Sequence, residues 1–180
     1  TISAFAARNG IAVYAAHTNA DFVIGGVTES LAAALRLKIS GHLDPILRQG
    51  AIGKLEEPMT LLDFARFVAR VLPSVAQGIK VAGDSDRTIS NVGLVAGAGD
   101  SFLDQALAQE IDLFITSDLR HHRSLDFIEA SKLSNGPALM DLSHWAAEWL
   151  WLEKAQHDLA IALPSIKFEV SDISTDPWDF

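Results

Sequence analysis

Short apolar runs of strand length alternate along this chain with stretches whose apolar residues recur at helical spacing. That alternation narrows the fold more than any other feature. IAVYAAHTN (11–19), IKVAG (79–83), NVGLVAG (91–97), IDLFITS (111–117) and PALMDLS (137–143) read as strands. GGVTESLAAALRL (25–37) places Val27, Leu31 and Leu35 on one stripe, and LLDFARFVARVL places Phe64, Phe67, Val68, Val71 and Leu72 on another. SFLDQALAQE (101–110), RSLDFIEASKL (123–133) and HWAAEWLWLEKAQHDLAIAL (144–163) complete the helices, the last being the longest. Thr60 with Asp63 resembles a capping box, and GHLDPILRQG (41–50) is a loop punctuated by Pro and Gly. SIKFEVSDIST (165–175) alternates Ile166, Phe168 and Val170 with polar neighbours, as a half-exposed edge strand does.

Such alternation predicts an α/β fold with mixed, largely parallel sheets covered by helices on both faces. Ligands of such sheets bind beyond the carboxyl ends of the strands. The 180 residues suffice for two lobes around a joint core. The expected division is 1–48 plus 137–180 for the first lobe and 49–136 for the second. TISAFAARNG reads as a helix end stopped by Gly10, so the chain is expected to be preceded by a further segment.

Composition removes several function classes. A net charge of −9 argues against nucleic acid as a partner, because phosphate contacts need clustered Lys and Arg. The absence of cysteine excludes disulfides, Cys-type zinc sites and thiol catalysis, and fits a reducing, cytoplasmic setting. No apolar run approaches the roughly 20 residues that span a bilayer, so no membrane partner is expected.

Three His/carboxylate pairs, each four residues apart, follow strand-like runs: His17/Asp21, Asp118/His122 and His144/Glu148. A four-residue spacing lets two side chains meet on one face of a helical turn. Imidazole nitrogen and carboxylate oxygen suit zinc, iron and manganese. Each pair also has a plain alternative. His144 and Glu148 can serve only to begin a helix, Asn19 and Asp21 can be turn residues, and His121 and His122 can belong to a solvated loop between Arg120 and Arg123. Those two arginines can also hold an anionic substrate. Trp145 and Trp149 suit packing. GAGDS (97–101) lacks a P-loop lysine and suits a tight turn.

Taken together, YAAHTNAD-x3-GGV-x3-LA, GxGxS, ITSD-x3-H and the late HxxxE resemble the Nif-three-like family, from about Ile11 to the terminal TDPWD. Many of its members carry the name type 2 GTP cyclohydrolase I. The resemblance implies two divalent metal ions (zinc, iron or manganese) in a cleft between two α/β lobes. Asp21, His144 and Glu148 would be ligands, and two further histidines would come from an upstream HHP-type motif that this chain lacks. His122 matches the motif histidine beside the metals. His17, Asp118 and His122 are the candidate catalytic groups, with the two histidines moving protons. The implied function is a metal-dependent hydrolase acting on a small anionic substrate such as a nucleotide, in a homo-oligomer, a ring-shaped hexamer. The competing expectation is a non-enzymatic metal-binding or interaction protein whose ring is the functional object.

Overall fold

The helical and extended stretches assemble around one six-stranded sheet in a computed structural model that describes residues 1–180. The chain runs α1 (Ile2–Arg8), α2 (Thr18–Asp21), α3 (Val27–Ala34), β1 (Leu37–Gly41), β2 (Ala51–Thr60), α4 (Leu61–Val71), β3 (Lys80–Ala82) and β4 (Thr88–Ala98). It continues with a 3₁₀ turn (Asp100–Phe102), α5 (Leu103–Leu107), β5 (Leu113–Ser117), α6 (His121–Ser134), β6 (Ala138–Leu142), α7 (His144–Trp149) and α8 (Trp151–Ala162). The strand order is β1-β2-β4-β5-β6-β3.

Period-two burial explains why helices cover both faces. On β5, Leu113 and Ile115 face a core shared with Leu31 of α3 and Leu35 just past its end, Phe64 and Val68 of α4, and Ala146 and Ala147 of α7. Phe114, between them, faces the other side, with Leu103 and Ala106 of α5 and Phe127 of α6. Strand β4 sorts in the same way, Leu94 to the first core and Val95 to the second. Thr60 begins α4 as expected. Its Oγ1 accepts the Asp63 N–H at 3.1 Å and donates to the Asp63 carboxylate at 3.0 Å, so the acid braces the capping hydroxyl.

The sheet is mixed rather than largely parallel. β4, β5 and β6 run parallel, while β1/β2, β2/β4 and β3/β6 pair antiparallel. The antiparallel strands β1 and β2 carry weak signals. In β2, Glu56, Glu57 and Pro58 interrupt the apolar pattern, and the pairing with β4 lapses between Lys54 and Met59, where a proline lacks the ladder donor. The sheet takes β1 and β6 from the first of the expected lobes and the other four strands from the second.

Three further expectations are corrected. Residues 11–17 form no strand; Val13 and Tyr14 stand 72% and 86% exposed, and only Thr18–Asp21 are helical. An apolar run reports a need for cover, and no sheet edge pairs with this one. The 144–163 helix divides at Leu150 into α7 and α8, with neither Gly nor Pro to mark the break. Residues 165–175 form no edge strand. Side chains hold their carbonyls instead: Gln156 donates to Phe168 O at 3.3 Å and the Trp149 indole N–H to Ser171 O at 3.1 Å. No helix is long and apolar enough to cross a membrane.

Candidate functional site

The three parallel strands β4, β5 and β6 end side by side, and the chain that leaves each one meets at His144. Ser143 begins α7: its Oγ accepts the Ala146 N–H at 3.2 Å, so His144 opens the first turn of a fixed helix. After β5 the backbone turns through Asp118 at φ +55°, a left-handed conformation that Asp tolerates better than most residues. That turn carries the Asp118 carboxylate to His144 Nδ1 at 2.6 Å. One helical turn on, Glu148 Oε1 lies 2.8 Å from His144 Nε2. At the end of β4, Gly97 takes φ +78°. A Cβ there would lie 2.8 Å from Glu148 Oε1 and 3.3 Å from His144 Nε2, so glycine admits the backbone against the pair.

Asp21 reaches the same place from the other end of the chain. α2 delivers it just ahead of Gly25 and Gly26, and a Cβ on Gly26 would lie 2.2 Å from Ala20 O. The glycine pair therefore permits the tight approach its sequence suggests. His17, Asp21, His144 and Glu148 line one cavity of about 370 Å³, walled by Trp145, Trp149 and Trp151. The Trp145 and Trp149 rings sit 6.3 Å apart, and the Trp151 indole N–H donates to Gly25 O at 3.2 Å.

Electrostatics follow from this crowding. Glu148's hydrogen bond is the main cause that pushes His144 up to about 9; burial opposes it, and Asp118 adds to it. His144 is therefore an imidazolium at neutral pH, donating one N–H to each carboxylate. Burial raises the Asp21 carboxyl above the ordinary carboxylate range, and the negative charge of Glu148 pushes the same way against the smaller pull of His17 and His144. Two carboxylates and an imidazole on one wall are a donor set that suits a divalent cation, and the repulsion felt by Asp21 is one that a cation relieves. No three His, Asp or Glu side chains meet closely enough to hold an ion in this arrangement, in which Nε2 of His144 is bonded to Glu148.

The sequence pairs are thus partly regrouped. His144/Glu148 meet as their spacing predicts, and His17 and Asp21 share the cavity. Asp118 bonds His144 instead of His122. His122 is exposed at the start of α6, its ring edge-on to His121 at 5.3 Å, and does not line the cavity. Arg120 and Arg123 engage Asp100 at 2.5 Å and Asp104 at 3.5 Å. Gly97 is the site residue that spacing did not single out; its signal was the GxG after a strand. A larger hollow of about 750 Å³ lies between β2 and α4. Arg36, Arg66 and Arg70 are matched there by Glu56, Glu57 and Asp63, so it favours neither sign of ligand, and the convergence on His144 marks the better candidate.

Comparisons with known proteins bear on the family and the fold. The family model described as Duf34/NIF3 (NGG1p interacting factor 3) matches residues 1–177. A Streptomyces coelicolor protein named GTP cyclohydrolase 1 type 2 homolog is 38% identical over 182 residues, covering 95% of this chain and 62% of that protein. A Clostridium perfringens protein of the same name is 30% identical, covering 96% and 66%. The chain thus spans less than two thirds of the length of these relatives. Among solved structures, a Bacillus cereus protein related to NIF3 superposes with a TM-score of 0.85 at 20% identity, over 97% of this chain and 75% of that one.

Proposed function

We propose, from the premise that this chain belongs to the Duf34/NIF3 family, that it binds divalent metal through Asp21, His144 and Glu148 and serves a metal-dependent hydrolase. The observation that carries the reading is the convergence of these three side chains on one cavity, with Gly97 making room for His144 and Glu148. Two ions (zinc, iron or manganese), which the family resemblance implies, are proposed for the whole protein, with this cavity as their site. A bound ion supplies a water acidified enough to attack at neutral pH.

The chain's own residues prepare that chemistry. Asp118 holds Nδ1 of His144, which fixes the ring; Nε2, which donates to Glu148 Oε1 here, is the nitrogen that would ligate once an ion replaces its proton. Glu148 and Asp21 supply the negative charge. His17, on the cavity wall, is placed to carry a proton to or from a substrate. The tryptophan wall suits a flat heterocycle, so the proposed substrate is a nucleotide such as GTP, attacked at a purine carbon or at a phosphoester.

Incubating metal-loaded protein with GTP tests this. The purine absorbance should change, or phosphate should be released, in proportion to bound metal, and Glu148→Ala should abolish both. No turnover at metal saturation would overturn the enzymatic reading. A second reading, a non-enzymatic metal-binding protein working as a ring-shaped hexamer, is favoured by the exposed apolar side chains Val13, Tyr14 and Ile24. A hexameric mass in sedimentation without turnover supports it.

A further inference from the structure

The segment after α8 has no regular structure, yet it returns along α8 and α7 to the start of the site. Gln156 of α8 holds Phe168 O, and Trp149 of α7 holds Ser171 O at 3.1 Å. Thr175 then lines the same cavity as Asp21, His144 and Glu148. At the next residue, an Asp176 carboxylate oxygen accepts the hydroxyl proton of Ser143. Its other oxygen accepts the Trp178 N–H at 3.1 Å.

Ser143 is fully buried and is the residue that begins α7. A serine hydroxyl rotates freely unless its proton has a fixed acceptor. Asp176 supplies that acceptor, which leaves a Ser143 lone pair aimed at the Ala146 N–H. The first turn of α7 carries His144 at its opening and Glu148 one turn on, so the orientation of that turn sets where both side chains point.

We propose that Ser171–Asp176 forms an outer wall of the site and that Asp176 is a positioning residue: through Ser143 it holds the first turn of α7, and with it His144 and Glu148, ready for metal. The proposal rests on the metal-binding reading for its consequence and on the Ser143–Asp176 contact for its geometry. An outer partner that orients a ligand commonly changes metal affinity about 10–100-fold when removed.

Three proteins decide it: wild type, Asp176→Ala and Asp176→Asn, the last keeping an oxygen that accepts the Ser143 proton. Zinc affinity is measured by competition with a chromophoric chelator. Amide hydrogen exchange is measured at Ala146, with α4 as an internal reference. Asp176→Ala should bind zinc about tenfold more weakly and exchange about fivefold faster at Ala146, the effect of a weakened helix cap, with α4 unchanged. Asp176→Asn should stay close to wild type in both. Unchanged exchange at Ala146, equal acceleration in α4, or an Asn variant that behaves like the Ala variant would each overturn the proposal. Wild-type protein that takes up no zinc would refute the metal-binding reading instead, while the exchange comparison would still decide whether Asp176 holds α7.

Discussion

Replacing Gly97 with alanine tests whether the backbone at the end of β4 is shaped for the site. Two costs can be separated. The first is conformational: a residue with a Cβ in the left-handed region loses roughly 1–2 kcal/mol, and Gly97 has φ +78°. The second is local. The new Cβ would lie 2.8 Å from Glu148 Oε1 and 3.3 Å from His144 Nε2, so Glu148 must swing away from the imidazole. Because both side chains are more than a third exposed, that contact is worth at most about 1 kcal/mol. Gly78 is the control: its φ is +58° and nothing lies within 4 Å of its added Cβ, so it carries only the first cost. In a domain of this size each kcal/mol lowers Tm by about 2–4 °C. Thermal unfolding should therefore show Gly78→Ala losing about 2–8 °C and Gly97→Ala losing somewhat more. Zinc affinity should separate them cleanly, falling about 10–100-fold for Gly97→Ala and staying unchanged for Gly78→Ala. Equal zinc affinity in the two variants would refute the argument that glycine is required here to admit Glu148 and His144.

The protonation of the site has its own signature. His144, raised from 6.5 to about 9, binds a proton more tightly folded than unfolded. Its contribution to the metal-free protein is thus fully present below about pH 6.5 and is lost as pH rises to about 9, a decline that denaturant titrations should show in wild type and not in His144→Ala. Asp21 is raised by burial and by Glu148, so Asp21→Asn should make the metal-free protein more resistant to heat at neutral pH while weakening zinc binding in calorimetry. Lowered stability with unchanged zinc affinity would contradict both halves. Thr60→Ala removes the start of α4 and should cost about 1 kcal/mol in urea unfolding, with no effect on zinc. His122 is exposed beside His121 and outside the cavity, so His122→Ala should leave metal content and any turnover unchanged; a loss of turnover of about 10²–10⁴-fold with metal intact would show instead that it moves protons.

Much of the parallel half of the fold could be read from sequence, because β4, β5 and β6 are largely apolar runs buried on both faces. The antiparallel half could not. β2 mixes Glu56, Glu57 and Pro58 into its run, so its pairing is set by neighbours rather than by its own pattern. Residues 11–17 show the converse: an apolar run without a partner strand takes no regular structure and stays exposed. At the site, the i, i+4 rule found His144 with Glu148 because both lie on one helix. It misassigned Asp118, which lies in a left-handed turn ahead of α6, where helical spacing has no meaning. The contribution of Asp176 was hidden for a related reason: it lies 33 residues from Ser143, and only the course of the segment after α8 joins them.

The central claim is that Asp21, His144 and Glu148 hold a divalent ion together. Calorimetric titration of zinc into wild type and into the Asp21→Ala, His144→Ala and Glu148→Ala variants measures it directly. The account predicts saturable binding by wild type and a loss of at least tenfold in affinity in each variant. Saturable binding that all three variants retain would contradict it.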